Sequence, residues 1–198
     1  MKARTSIIAL MLVTMISGTA NAIVFGIRYS DIREQRLPAL AENAGKGRFG
    51  FYAGVTQNNS SFLIGAEYDR NKTERGDSLL YFRRMTVNIG YRYNLFTADK
   101  ARAMNFMPFA AIHYFKSFSK VEADSNIMSS TEAKFTRDML NDYGGWISFG
   151  AEYYFAPVMS LGAEAGFRYT KSKSSALGYD IKNIDYSTFA AILLNYYW

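Results

Sequence analysis

Apolar and polar side chains change places at every second position through most of the chain after Ile23, and the alternation lapses only in polar, turn-forming stretches. Period two is the repeat of a strand with unlike faces, because successive side chains leave a pleated backbone on opposite sides. The end of the chain shows it most clearly. Tyr186, Thr188, Ala190, Ile192, Leu194, Tyr196 and Trp198 fall on one face, and Asp185, Ser187, Phe189, Ala191, Leu193, Asn195 and Tyr197 on the other. The first face has no charge, is aliphatic in the middle and is aromatic at both ends. That is the outward profile of a strand that crosses a bilayer between two interfacial girdles. The same pattern fits seven more segments, over residues 23–30, 48–55, 62–69, 84–93, 106–114, 146–155 and 160–169. The predicted fold is all-β, an eight-stranded antiparallel up-and-down transmembrane β-barrel.

The connections alternate in length. Residues 57–60 and 156–158 form tight turns and 97–104 a somewhat longer one, whereas 31–47, 70–78, 120–142 and 171–183 are predicted to be long polar loops. Short turns at one end and long loops at the other is how outer-membrane barrels are built, with the long loops outside. The first strand is short, eight residues before Asp31, close to the minimum of about 9 for a tilted crossing. Pro108 removes a ladder donor from the fifth strand, near its inner end, where the loss is tolerable.

A soluble barrel also alternates, with its apolar face inward. Here the polar face mixes Gly26, Gly50, Gly54, Gly65, Gly90, Gly150, Gly162 and Gly166 with isolated Arg and Glu. Small residues beside large charged ones suit a narrow lumen rather than a solvated surface. The aromatics of the apolar face gather toward strand ends, where a soluble core would centre them. Composition agrees: 15 Tyr and 15 Phe accompany a mean hydropathy of only -0.12, as expected when strands show lipid at alternate residues. The formal charge of +6 is spread along the chain and forms no nucleic-acid patch. With no Cys, there is no disulfide framework or thiolate metal site.

Residues 1–22 read as a cleaved signal peptide and 23–198 as the barrel domain. Lys2 and Arg4 make a positive start, residues 7–16 are apolar but for Thr14, and Ala20 and Ala22 put small side chains where a signal peptidase needs them. The apolar run falls short of the roughly 20 residues of a spanning helix. The expected location is therefore the outer membrane of a Gram-negative-type bacterium.

The last strand, with Leu194, Tyr196 and Trp198 on its apolar face, resembles the terminal signal by which the outer-membrane assembly machinery recognises barrels; the usual last residue is Phe, and Trp198 departs from it. The phrase GAEYYFAPVMSLGAEAGFRY, Gly150 to Tyr169, resembles a hairpin of the small outer-membrane β-barrel family, the OmpA/OmpX-like eight-stranded barrels. The resemblance implies a fold and a location. Because such proteins range over adhesion, host-factor binding, envelope structure and narrow channels, it implies no single activity. With the chain stopping at Trp198, no periplasmic peptidoglycan-binding domain is expected after the barrel.

The chemistry offered is sparse. His113 is the sole histidine, and Ser117 is the nearest serine on its strand face. Without an orienting carboxylate this is read as a packed lumen histidine, not a catalytic base, and no enzyme activity is expected. The triplet Gly-Ala-Glu occurs at 65–67, 150–152 and 162–164, each time placing Glu inward. The inward charges Arg28, Arg48, Glu67, Asp69, Arg84, Arg92, Glu152, Glu164 and Arg168 are expected to form a lumen ion network, since a barrel of eight strands is only just wide enough for side chains to fill. No cofactor is expected. Ile127, Met128, Phe135, Met139 and Leu140 place apolar side chains on the long loop before Asp142, which reads first as a mobile extracellular loop and, alternatively, as a surface for an extracellular macromolecule. Tyr81 and Arg83, outward at the top of their strand, read first as a simple interfacial anchor, with contact to lipopolysaccharide phosphates as the alternative. The expected function is structural or surface-interacting, with the lumen plugged by ion pairs; the alternative is a narrow channel for small solutes, and a lipid-modifying enzyme is remote. The export signal predicts a mature protein that begins at Ile23. Edman sequencing of outer-membrane material checks this, and an N-terminus still at Met1 rejects it.

Overall fold

Ile23 and Trp198 exchange backbone hydrogen bonds, 2.8 Å in each direction, and that exchange seals a continuous wall. The computed structural model describes residues 22–32, 47–75, 78–123 and 128–198; the proposed signal peptide, apart from Ala22, lies outside the described residues. The elements are β1 (Ala22–Ile32), β2 (Arg48–Gln57), β3 (Ser60–Arg75), β4 (Ser78–Asn94), α1 (Ala98–Met104), β5 (Phe106–Ala123), α2 (Ser130–Leu140), β6 (Tyr143–Ala156), β7 (Met159–Ser174) and β8 (Ile181–Tyr197). Every strand pairs antiparallel with its sequence neighbours, and β8 returns to β1, closing the barrel. Stepping from partner to partner, the path runs Ala22, Thr56, Ser61, Arg92, Ala111, Ser148, Gly166, Phe189 and back to β1 at Ile32. The wall thus closes with a shear of ten residues, from 22 to 32, which tilts the strands by about 40°.

Period two decides the two faces. Phe25, Tyr29, Phe51, Ile64, Ile89, Ile112, Phe149, Phe167 and Ile192 are exposed on the outside, an apolar belt that only lipid can cover. Their neighbours Gly26, Arg28, Glu67, Arg92, His113, Glu164 and Leu193 point inward. Each strand carries the faces expected from its alternation. The lumen is filled by pairing small residues with large ones. A side chain at Gly26 would collide with the Tyr52 ring, and one at Gly90 with the His113 ring.

The tight turns at 57–60 and 156–158 are as expected, the loop predicted over 31–47 lies, but for its ends, outside the described residues, and the other connections differ from expectation. β1 has 11 residues and includes Asp31. The segment 70–78 is mostly strand: β3 runs to Arg75 and β4 starts at Ser78. Likewise β7 continues to Ser174 and β8 begins at Ile181. Above the lipid belt these strands lose their apolar face, so they read as loops although the ladder continues. The segment 97–104 is not a plain turn but holds α1, ended by Asn105 in the left-handed region at φ 52°. The segment 120–142 begins as strand and then forms α2. Ser129 caps α2 by accepting from the Glu132 amide while the Glu132 carboxylate accepts from the Ser129 amide, a reciprocal capping box.

Amides at the seam would face hydrocarbon if left unpaired, at several kcal/mol each. Deleting Tyr196 to Trp198 removes the β8 side of the Ile23 exchange. The expected result is loss of the folded, heat-modifiable band on unheated gels; a truncated protein that keeps that band shows the seam to be dispensable.

Candidate functional site

The interior is the chemically distinctive part of the molecule. Inward residues of the strands stack into tiers, each bringing together groups from strands that are not neighbours in the wall.

The lowest tier centres on Glu152 of β6. Its carboxylate pairs with Arg92 of β4 and accepts from Tyr197 Oη of β8 at 2.6 Å and from Ser160 Oγ of β7 at 2.9 Å. Arg92 Nη2 donates to Tyr197 Oη at 2.9 Å. Asn195 Nδ2 donates to Ser160 Oγ at 3.1 Å, and the Tyr52 hydroxyl donates to Asn195 Oδ1. Beneath lies an apolar floor. Ala101 of α1 is fully buried against a cluster of Val24, Leu63, Met107, Tyr154 and Tyr197, with Phe96 packed beside it. So α1 packs, through Ala101, at the end of the barrel that carries the short connections.

In the middle tier Arg28 of β1 reaches both ways. Its Nη2 lies 2.7 Å from Glu164 Oε1 and its Nη1 3.6 Å from Glu67 Oε1. Ser148 Oγ donates to Glu164 Oε2 at 3.1 Å. An interior cavity of about 30 Å³ touches Arg28, Glu67, Arg92, His113 and Glu164, and a polar cavity of that size has room for a water or two.

An aromatic layer follows. Trp146 stacks on His113 with ring centroids 4.5 Å apart, and the Arg28 guanidinium lies 4.8 Å from the Trp146 centroid. The Arg168 guanidinium carbon lies over Phe115, 3.7 Å from the ring centre. Such cation–π contact offsets part of the cost of burial. In the top tier Asp69 accepts from Arg84 Nη2 at 3.1 Å and lies 3.8 Å from Arg48 Nε, while Arg84 Nη1 lies 3.8 Å from Asp142 Oδ2.

The structure therefore brings Arg28 to Glu67 and Glu164, Arg92 to Glu152, and Arg48 and Arg84 to Asp69. Arg168 is held on aromatic faces. Sequence reasoning missed Asp142, placing it at the edge of a loop. It is fully buried, with Oδ2 3.8 Å from Arg84. It also missed Tyr52, Tyr197, Ser160 and Asn195, whose polar tips complete the lowest tier. Their inward parity was legible, but nothing marked them as partners. Ser117 is engaged by Thr86 at 2.9 Å while His113 lies on Trp146, so the two do not meet as a dyad. Leu194, Tyr196 and Trp198 all point outward on or beside β8 and belong to the lipid face.

The opposite mouth is irregular. β6 starts only at Tyr143, leaving a notch between the taller β5 and β7, and α2 packs into it against both. Ser119 Oγ donates to the Leu140 carbonyl at 3.0 Å and Ser174 Oγ to Asp138 at 3.1 Å. Met139 and Leu140 are buried there, contrary to the expectation that they are exposed on a loop. Ile127 lies outside the described residues.

No family model matches the chain, and neither does any curated protein. Solved structures do. Outer membrane protein H (OprH) from P. aeruginosa in DHPC micelles matches at 16% identity over 89% of this chain and 99% of that one, with a TM-score of 0.53. Neisserial surface protein A (NspA) matches at 12% identity over 88% and 95%, with a TM-score of 0.50. The chain has the fold of the small eight-stranded outer-membrane β-barrels.

A buried carboxylate that loses its cation keeps the cost of desolvation without the compensating attraction. Arg92→Ala strands Glu152, and the expected loss of stability is about 3–5 kcal/mol, less if water enters the gap. Urea unfolding of protein folded into liposomes measures it. A change under about 1 kcal/mol, the value of an exposed pair, means that the tier contributes little.

Proposed function

We propose that this protein is exported through a cleaved signal peptide, inserted in the outer membrane of a Gram-negative-type bacterium, and acts there as a structural or surface-interacting barrel with a sealed lumen. The apolar belt and the fold shared with OprH and NspA support the location. The outward aromatic end of β8 supports recognition by the assembly machinery.

The observation that supports the sealed reading is packing at three levels. Apolar side chains with Ala101 of α1 gather at one end, ion pairs join non-neighbouring strands in the middle, and α2 packs into the notch at the other end. A permeant ion would have to break the buried Arg92–Glu152–Tyr197 group and displace the floor. With the interior committed to holding itself together, interaction with other molecules falls to the outer surface and the connections above the belt. The α2 residues Glu132 and Arg137 are exposed there.

Planar-bilayer recording tests this. Wild-type protein is expected to give little or no steady current, and Arg92→Ala is expected to leak. Stable ohmic channels from the wild type, unchanged in Arg92→Ala, would overturn the sealed lumen and establish the narrow channel for small solutes instead.

A further inference from the structure

Three cations stand in register on the outside of the wall. Arg70 of β3 is the direct partner of Arg83 on β4, and Arg83 is the direct partner of Lys120 on β5. All three have outward parity, and their side chains are partly or well exposed. Like charges set directly opposite one another across a strand pair repel. The row is therefore unfavourable by itself, and Glu122 offsets only part of it.

Its height says where a compensating anion would come from. Two residues nearer the belt on the same three strands are Tyr68, Met85 and Phe118, each about half exposed. They too are direct partners across β3, β4 and β5. The cations stand immediately above this apolar row, where hydrocarbon gives way to headgroups, at the end of the barrel that carries the long connections. The cluster is also organised. The guanidinium carbons of Arg70 and Arg83 lie 5.1 Å and 5.3 Å from the centroid of one ring, that of Tyr81. Glu122 pairs with Lys120 and lies 3.6 Å from Arg83. Among the described residues no carboxylate pairs with Arg70. Among the residues whose side chains are described, three cations against one carboxylate leave an excess of about two positive charges, the charge of one phosphate monoester near neutral pH.

We propose that Arg70, Arg83 and Lys120, oriented by Tyr81, bind the phosphorylated sugar head of an outer-leaflet glycolipid of the lipopolysaccharide type, with Tyr68, Met85 and Phe118 beneath it against the acyl chains. The guanidiniums supply paired donors that match phosphate oxygens, and the ammonium supplies a point charge. The site rests on the membrane-spanning reading given above and makes it specific: one face of the barrel, over β3 to β5, selects its lipid.

The test uses the mature barrel refolded in a neutral detergent, with lipid A carrying both phosphates as the probe and the same lipid after phosphatase treatment as its control. Native mass spectrometry counts the lipid retained. The wild type is expected to prefer the phosphorylated lipid at least tenfold. The double variant Arg70→Gln/Arg83→Gln is expected to lose that preference to within about twofold, and Arg70→Lys/Arg83→Lys to keep most of it. Lys173→Gln/Lys182→Gln, which removes the same charge elsewhere on the surface, is expected to behave as wild type. Heat-modifiability on unheated gels verifies that each variant is folded. Equal retention by wild type and Arg70→Gln/Arg83→Gln overturns the site. So does displacement of the lipid by millimolar inorganic phosphate, which indicates a free-anion site. Heparin bound at the row without any preference for phosphorylated lipid A overturns it in favour of a soluble polysaccharide. A wild type that never refolds into detergent or bilayer defeats the membrane-spanning reading itself, a result separable from failure at the row.

Discussion

Hydrocarbon offers no hydrogen bonds, so every amide and carbonyl of a spanning strand must find its partner within the protein. For this chain the requirement is met only when β8 pairs with β1. Much else follows from that closure. Eight strands with a shear of ten residues fix the tilt and the radius. The radius leaves space inside for side chains and a few waters. An interior of that width cannot hydrate a row of charges, so the charges that face it need partners: Arg28 and Arg92 find theirs across the lumen, and Arg84 finds Asp69 on the neighbouring strand.

The same geometry explains the variation in size among inward residues. Tyr52 reaches toward the centre because Gly26 offers no side chain beside it, and His113 lies over Gly90 for the same reason. Where the wall is uneven, the chain repairs it with short helices. α1 places Ala101 into the floor, and α2 lies where β6 stops short. The outer surface divides accordingly, into an apolar belt and, above β3 to β5, a polar rim that carries Arg70, Arg83 and Lys120.

Most of the fold was legible in the sequence because a membrane strand must obey period two on both faces at once. Tyr186 to Trp198 shows it most clearly, with an uncharged face that is aromatic at both ends. The strand ends were less legible for the same reason. Above the belt the outward face no longer has to be apolar, so residues 70–75 lose the signal while keeping the ladder. α2 had a local signature, Ser129 followed three positions later by Glu132, but the polar composition around it suggested a loop. Of the lumen, the charged residues were visible by parity, and their partners were not. Parity gives the face, whereas pairing depends on depth, which the shear sets strand by strand. Asp142 shows the gap. It sits one residue before β6, looks like the end of a loop, and is buried beside Arg84.

The cross-lumen ties also bear on how such a barrel can diverge. Arg28 joins β1 to β3 and β7, and Arg92 joins β4 to β6 and β8. None of these contacts belongs to a single hairpin. Duplicating one hairpin to give ten strands would widen the circle by about a quarter and draw every such pair apart at once, leaving isolated charges in a flooded interior. Gradual enlargement by hairpin duplication is thus blocked for this sequence until its inward arginines and glutamates have first been replaced. Change is cheap along the rim and the outer face, and costly in strand number.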